Sequence, residues 1–163
     1  MKTKNLIQML GALVAATLST GSVLATGTDT WVGNTDVNWN TAANWTTVGG
    51  STPPTNGDSL VFGAAGSSGT SLNNNISGLS VYNFIINGPG SFTFGGNGIT
   101  LNGTLTNAAN ANETFGSGVV IGTAAATTII NGGSGALKLG SLTQASGGFG
   151  TVDFATNSTG AIN

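Results

Sequence analysis

The sequence predicts an all-β protein: a right-handed parallel β-helix, or β-solenoid, of roughly four to five rungs behind a tryptophan-rich N-terminal cap and a signal peptide. Three observations carry this. From Leu60 onward the apolar residues come in short, mostly alternating bursts: LVF at 60–62, LSVYNFII at 79–86, SFTF at 91–94, ITLNGTLT at 99–106, VVI at 119–121, TTII at 127–130, ALKLGSL at 136–142 and TVDF at 151–154. Between them lie NGPG, GGNG, NAANAN, GTAAA, NGGSG and QASGGFG, which are turn chemistry. No stretch after residue 25 keeps a 3.6-residue apolar period long enough for a stable helix. A small β-sandwich is the alternative, but bursts of three or four residues are short for it.

Residues 1–25 read as a signal peptide. Lys2 and Lys4 form a basic start, the run from Leu6 to Leu24 is apolar and small, and Val23-Leu24-Ala25 fits the small-residue rule before a cleavage point. The expected location is therefore extracellular or at the cell surface, in association with an outer membrane. No other stretch is long and apolar enough to cross a membrane as a helix. Residues 26–59 form the expected capping segment, because Trp31, Trp39 and Trp45 are the only tryptophans and the regular bursts have not begun. An open terminal rung exposes unpaired backbone and core side chains, and three large rings are suited to closing one. Residues 60–163 supply the rungs at roughly 20–25 residues each, a rod about 20–25 Å long at about 4.8 Å per rung. The closing TNSTGAIN carries no aromatic cluster or charged segment, so a truncated C-terminus and self-association through the last rung are expected.

Composition narrows function by exclusion. Beyond residue 25, Asp29, Asp36, Asp58, Glu113 and Asp153 face a single base, Lys138, and this acidic balance argues against nucleic acid as a partner. There is no cysteine for disulfides or thiolate metal sites. Charged residues are only 5%, yet mean hydropathy is positive at +0.22, which is unlike a disordered chain.

TWVG, NWNTAANW, PPTNGDSLVFG and ISGLSVYNFIINGPGSFTFGGNGITLNGTLTN together span roughly residues 30–107. This stretch resembles the autotransporter-associated β-strand repeat proteins, large exported bacterial proteins. The resemblance implies a β-helical passenger region at the cell surface or secreted. No C-terminal series of amphipathic strands ending in an aromatic residue is present to form a translocator barrel.

Catalysis has few candidates. Histidine, cysteine and arginine are absent, which removes most nucleophile–base arrangements. A glycosidase-like carboxylate pair would have to come from Asp58, Glu113 and Asp153, which are far apart in sequence. Ser134 and Lys138 stand one residue too far apart for an S-x-x-K dyad. GGNGITL at 95–101 has Thr100 where a calcium-binding nonapeptide needs aspartate. Five N-x-S/T sequons are about what chance gives in so Asn- and Thr-rich a chain. Asn73, Asn74 and Asn75 are expected to stack at a corner, and TLT at 104–106 lacks the repeat a flat threonine array needs. No enzyme, metal or cofactor is expected. The function predicted is a non-enzymatic exported surface segment. The alternative is an adhesin-like module binding extracellular polysaccharide, with Trp31, Trp39 and Trp45 stacking on sugar rings and Asn34, Asn38, Asn40 and Asn44 hydrogen-bonding between them.

Overall fold

The computed structural model describes residues 26–123, 126–147, 151–156 and 159–163, and the signal peptide read over 1–25 lies outside them. The chain first lays down β1 (Thr28–Trp31), passes through a 3-10 turn (Ala42–Asn44) and returns as β2 (Trp45–Val48). Four complete turns follow. They are β3 (Ser59–Phe62), β4 (Ser71–Asn74) and β5 (Ser80–Val81); β6 (Phe84–Ile86), β7 (Thr93–Gly96) and β8 (Ile99–Leu101); β9 (Thr104–Asn107) and β10 (Glu113–Ile121); and β11 (Ala126–Asn131) and β12 (Leu137–Gln144). β13 (Thr151–Thr156) opens a further turn.

The strands stack as a β-solenoid. One sheet runs β13-β11-β9-β6-β3-β1-β2, and the second runs β4-β7-β10-β8-β5 with β12 on β10. Every named strand pair is parallel except β1 with β2. Parallel pairing at every turn separates this arrangement from a sandwich of hairpins. Along the first sheet, Leu60, Phe84, Leu105, Ile129 and Phe154 are successive register partners, in steps of 24, 21, 24 and 25 residues. The expected rung length of 20–25 residues is what the chain uses.

Alternation along each strand sorts side chains into inward columns. In the first sheet one column reads Asp29, Leu60, Phe84, Leu105, Ile129, Phe154. Its neighbour reads Trp31, Phe62, Ile86, Asn107, Asn131, Thr156. In the second sheet, Leu72, Phe94, Phe115 and Leu139 form a third. Polar members need internal partners once dehydrated. Asn107 meets that need by donating Nδ2 to Asn131 Oδ1 at 2.8 Å, while Asn131 Nδ2 reaches the carbonyls of Gly135 and Ala161.

One expectation needs correction. Asn73 and Asn74 do not turn a corner: both lie inside β4, and no non-glycine residue among those described has a positive φ. Asn74 faces inward and donates to the carbonyls of Asn97 and Gly98, so it is a buried tie between turns. Residues 26–59 pack on the first rung, with β1 paired in parallel with β3 (Ser59–Phe62).

Candidate functional site

The tryptophan segment is built by a detour of the chain. After β1 the backbone crosses to the second sheet, where Trp39 N–H donates to Asn73 O and Asn73 N–H to Val37 O, forming an isolated parallel bridge at Asn38. It then folds back so that Trp45 pairs with Trp31. This incomplete rung lays three indoles across the end of the core.

Gly33, the glycine of the W-x-G motif, permits the first bend. Its φ is +57°, and a Cβ there would lie 2.4 Å from Ala65 O. Asn44 holds the return. Its Oδ1 accepts from Thr35 and Asp36 N–H, and its Nδ2 donates to Asp36 O, Asp36 Oδ1 and Asn38 O. Asp36 also accepts from Asn38 N–H and the Thr41 hydroxyl, and the Asn38 hydrogen bond foremost holds its carboxyl below the ordinary aspartate range.

Relative exposures of 1% for Trp31, 1% for Trp39 and 4% for Trp45 decide the sugar-stacking question, because no ring face is open to a ligand. Trp31 meets Trp45 edge-on at 5.0 Å and stacks on Phe62 at 6.2 Å. Trp39 lies against Trp45, Phe62, Phe84 and Phe94 at 5.4–6.2 Å. Trp45 Nε1 donates to Trp39 O at 2.8 Å. The proposed stacking residues are therefore core, packed on one another and on Phe62, Phe84 and Phe94. The interleaved asparagines divide: Asn44 is fully buried, Asn38 Oδ1 accepts from Asn73, and Asn34 and Asn40 are exposed.

The acidic candidates do not converge. Asp58 precedes β3, whereas Asp153 lies on β13, four strands away along the first sheet and so about 19 Å distant at typical strand spacing. Glu113 opens β10 in the second sheet. It points inward and is fully buried; Oε2 accepts the Phe92 N–H at 2.6 Å and Oε1 has no partner. Burial pushes its carboxyl up to about 7, opposed by that hydrogen bond. It caps a backbone donor beside Leu137 and is not half of a carboxylate pair. Lys138 is exposed on β12, and the Ser134 hydroxyl donates to Asn110 Oδ1 at 3.1 Å. Among the described residues no group of three His, Cys, Asp or Glu side chains is placed to hold a metal ion, and no helix is long and apolar enough to cross a membrane.

Asp29 is the polar residue that sequence reasoning passed over. It is fully buried, and neither carboxylate oxygen accepts a hydrogen bond of normal geometry. The signal was available: in TDTW, Asp29 is in phase with Trp31 and therefore faces inward. At the far end of the rod, Leu139, Leu142, Phe154, Thr156, Ile162 and Asn163 line an open cavity of about 480 Å³. No protein-family model, curated protein or solved structure matches the chain.

Proposed function

We propose that this chain is an exported, non-enzymatic structural segment of a cell-surface protein, a stiff spacer in the manner of an autotransporter passenger region. The single observation that supports this most is the unbroken stack of four parallel turns around one core, with its inward columns filled by side chains. Such a stack contributes length and a continuous surface, which suits a spacer. The Lys2 and Lys4 start, the apolar run and the Val23–Ala25 motif support export, and the motifs over residues 30–107 support the autotransporter-like reading. The adhesin-like alternative loses its contact surface with the burial of Trp31, Trp39 and Trp45. In keeping with this, tryptophan emission should be blue-shifted and unresponsive to added oligosaccharides.

Self-association is the partner this reading proposes. β13 pairs with β11 on one side only among the described strands, and the 480 Å³ cavity beside it is lined mainly by apolar groups.

The test of export is expression of the full chain in a Gram-negative host, followed by fractionation and intact-mass measurement. A product beginning at Thr26 outside the cytoplasm is the expected result. A product that keeps residues 1–25 in the inner-membrane fraction contradicts the reading.

A further inference from the structure

Asp29 heads an inward column whose other members are Leu60, Phe84, Leu105, Ile129 and Phe154, so a carboxyl group stands where the pattern calls for a hydrocarbon. It is fully buried, neither of its oxygens accepts a hydrogen bond of normal geometry, and the one donor that favours its charge is the Thr47 hydroxyl. The group it faces is Asp58, also fully buried, from the N-G-D turn. Asp58 is well supplied with donors. Its Oδ1 accepts the Thr26 hydroxyl at 2.6 Å, and its Oδ2 accepts the Thr55 N–H at 2.8 Å and the Thr55 hydroxyl at 2.9 Å.

Two adjacent buried carboxyl groups cannot both ionise without strong repulsion in a poorly solvated site. One of them holding three well-formed hydrogen bonds and the other only the Thr47 hydroxyl nearby is the arrangement in which the first is the carboxylate and the second the acid. We propose that Asp29 and Asp58 share one proton, the Asp29 carboxyl donating to the Asp58 carboxylate. This proton clasps the β1–β2 pair to the turn at 55–58 and makes closure of the N-terminal end proton-dependent. When it is lost to water, two like charges face each other beneath β2, and the hairpin that carries Trp45 is the element free to move away.

The surroundings offer the pair no positive charge, and Asp29 only the Thr47 hydroxyl. Across from Asp29, β2 presents Thr47; beneath it, β3 presents Leu60; Thr26 and the Gly50 backbone complete the enclosure around Asp58. No lysine faces the pair from any of these elements, since Lys138 lies on the fourth turn. The remaining described titratable groups, Asp36, Tyr82, Glu113 and Asp153, stand elsewhere in the rod. A calcium ion is a poorer fit than a proton, because it needs six to eight oxygens and both Asp58 oxygens already accept donors.

Burial first, then the Asp58 charge, pushes Asp29 up to about 6 against the Thr47 hydroxyl. Burial of Asp58 is outweighed by its hydrogen bonds from Thr26 and Thr55, so its carboxyl lies below the ordinary range. Asp29 therefore favours the folded state fully below its unfolded value near 3.8 and loses that contribution as pH rises through about 6. Asp58 has the opposite sense: its contribution is present above 3.8 and is lost as pH falls through its lower folded value.

The direct experiment is a carbon-13 carboxyl NMR titration of the protein, paired with thermal melts of wild type and Asp29→Asn from pH 4 to 8. The asparagine keeps a donor towards Asp58 at every pH. The expected result is one aspartate titrating near 6 and assigned to Asp29, with Asp58 below 3.8. In the melts, the wild-type unfolding equilibrium should shift by up to about tenfold per pH unit between pH 4 and 6 more than that of Asp29→Asn. An Asp29 carboxyl that titrates at its ordinary value overturns the proposal, and this reading needs no variant to fold. So does a pH profile unchanged in Asp29→Asn, or a rise in wild-type melting temperature on adding millimolar calcium at pH 7.5 that the variant lacks, which would put a cation in the proton's place.

Discussion

The two ends of one core column are finished in opposite ways. At the N-terminal end the column begins with Asp29, a carboxyl group that is 0% exposed; at the other it finishes with Phe154, an aromatic ring that is 56% exposed. Neither residue sits where its own hydropathy would put it. What differs is the neighbouring chain. Above Asp29 the backbone detours through Asn38, reverses at Ala42–Asn44 and lays Trp31, Trp39 and Trp45 over the end as β2 closes the sheet edge in the antiparallel sense. Beside Phe154 the strand β13 has a partner on one side only among the described strands, and Leu139, Leu142 and Ile162 line an open cavity. Burial in a solenoid is thus decided by whether a rung has a neighbour on both sides, more than by the residue itself.

The largest expected effect lies at the closed end. Trp39→Ala removes a ring in contact with four aromatic neighbours and should cost about 3–5 kcal/mol in urea unfolding. Phe154→Ala should change stability by less than about 1 kcal/mol, because that ring is already more than half in water. Equal losses at the two positions would break the comparison.

Next in size is the interior acid. Glu113 is raised to about 7 from 4.5, so its contribution to folding is complete below pH 4.5 and is lost as pH rises through 7. Moving from pH 4.5 to 8 should cost up to about 3 kcal/mol through this residue. Glu113→Gln should remove that share of the pH dependence in denaturant titrations at the two pH values. Asn44→Ala ranks third. It strips the ties of the loop that carries Trp39 and should destabilise by about 1–3 kcal/mol, with faster quenching of tryptophan emission as the readout.

The smallest effect on stability, and the one that most sharpens the contrast, concerns association. Thr151→Lys places a charge at an exposed position of β13 and should shift sedimenting species towards monomer with little change in unfolding midpoint. The same substitution at Val48, which is 79% exposed on β2, should leave the association state as it was.

Much of the rod was legible because its inward positions are hydrocarbon and alternate. LVF, TTII and TVDF fall on β3, β11 and β13, and the long bursts at 79–86 and 99–106 each span two strands separated by a corner. The unread pieces were polar. SLNN is β4, and its Asn74 is buried because the amide replaces ladder hydrogen bonds lost at the next corner. The first half of β10 was missed because Glu113 reads as a surface acid, although its phase with Phe115 turns it inward. The tryptophan cap was legible from aromatic concentration alone. The path that seats it was not, since it depends on Asp36 and Asn44 side chains binding backbone groups several residues away. Such ties leave no periodic trace.

The central claim is that the tryptophan segment covers the first rung, whereas β13 is covered on one side only among the described strands. Residue-resolved hydrogen exchange tests it most directly. The account predicts protection highest in β3, β6 and β9, retained in β1 under the tryptophan cover, and falling through β11 to its lowest in β13. Equal protection of β13 and β3 in monomeric protein, or a β1 that exchanges as fast as β13, would contradict it.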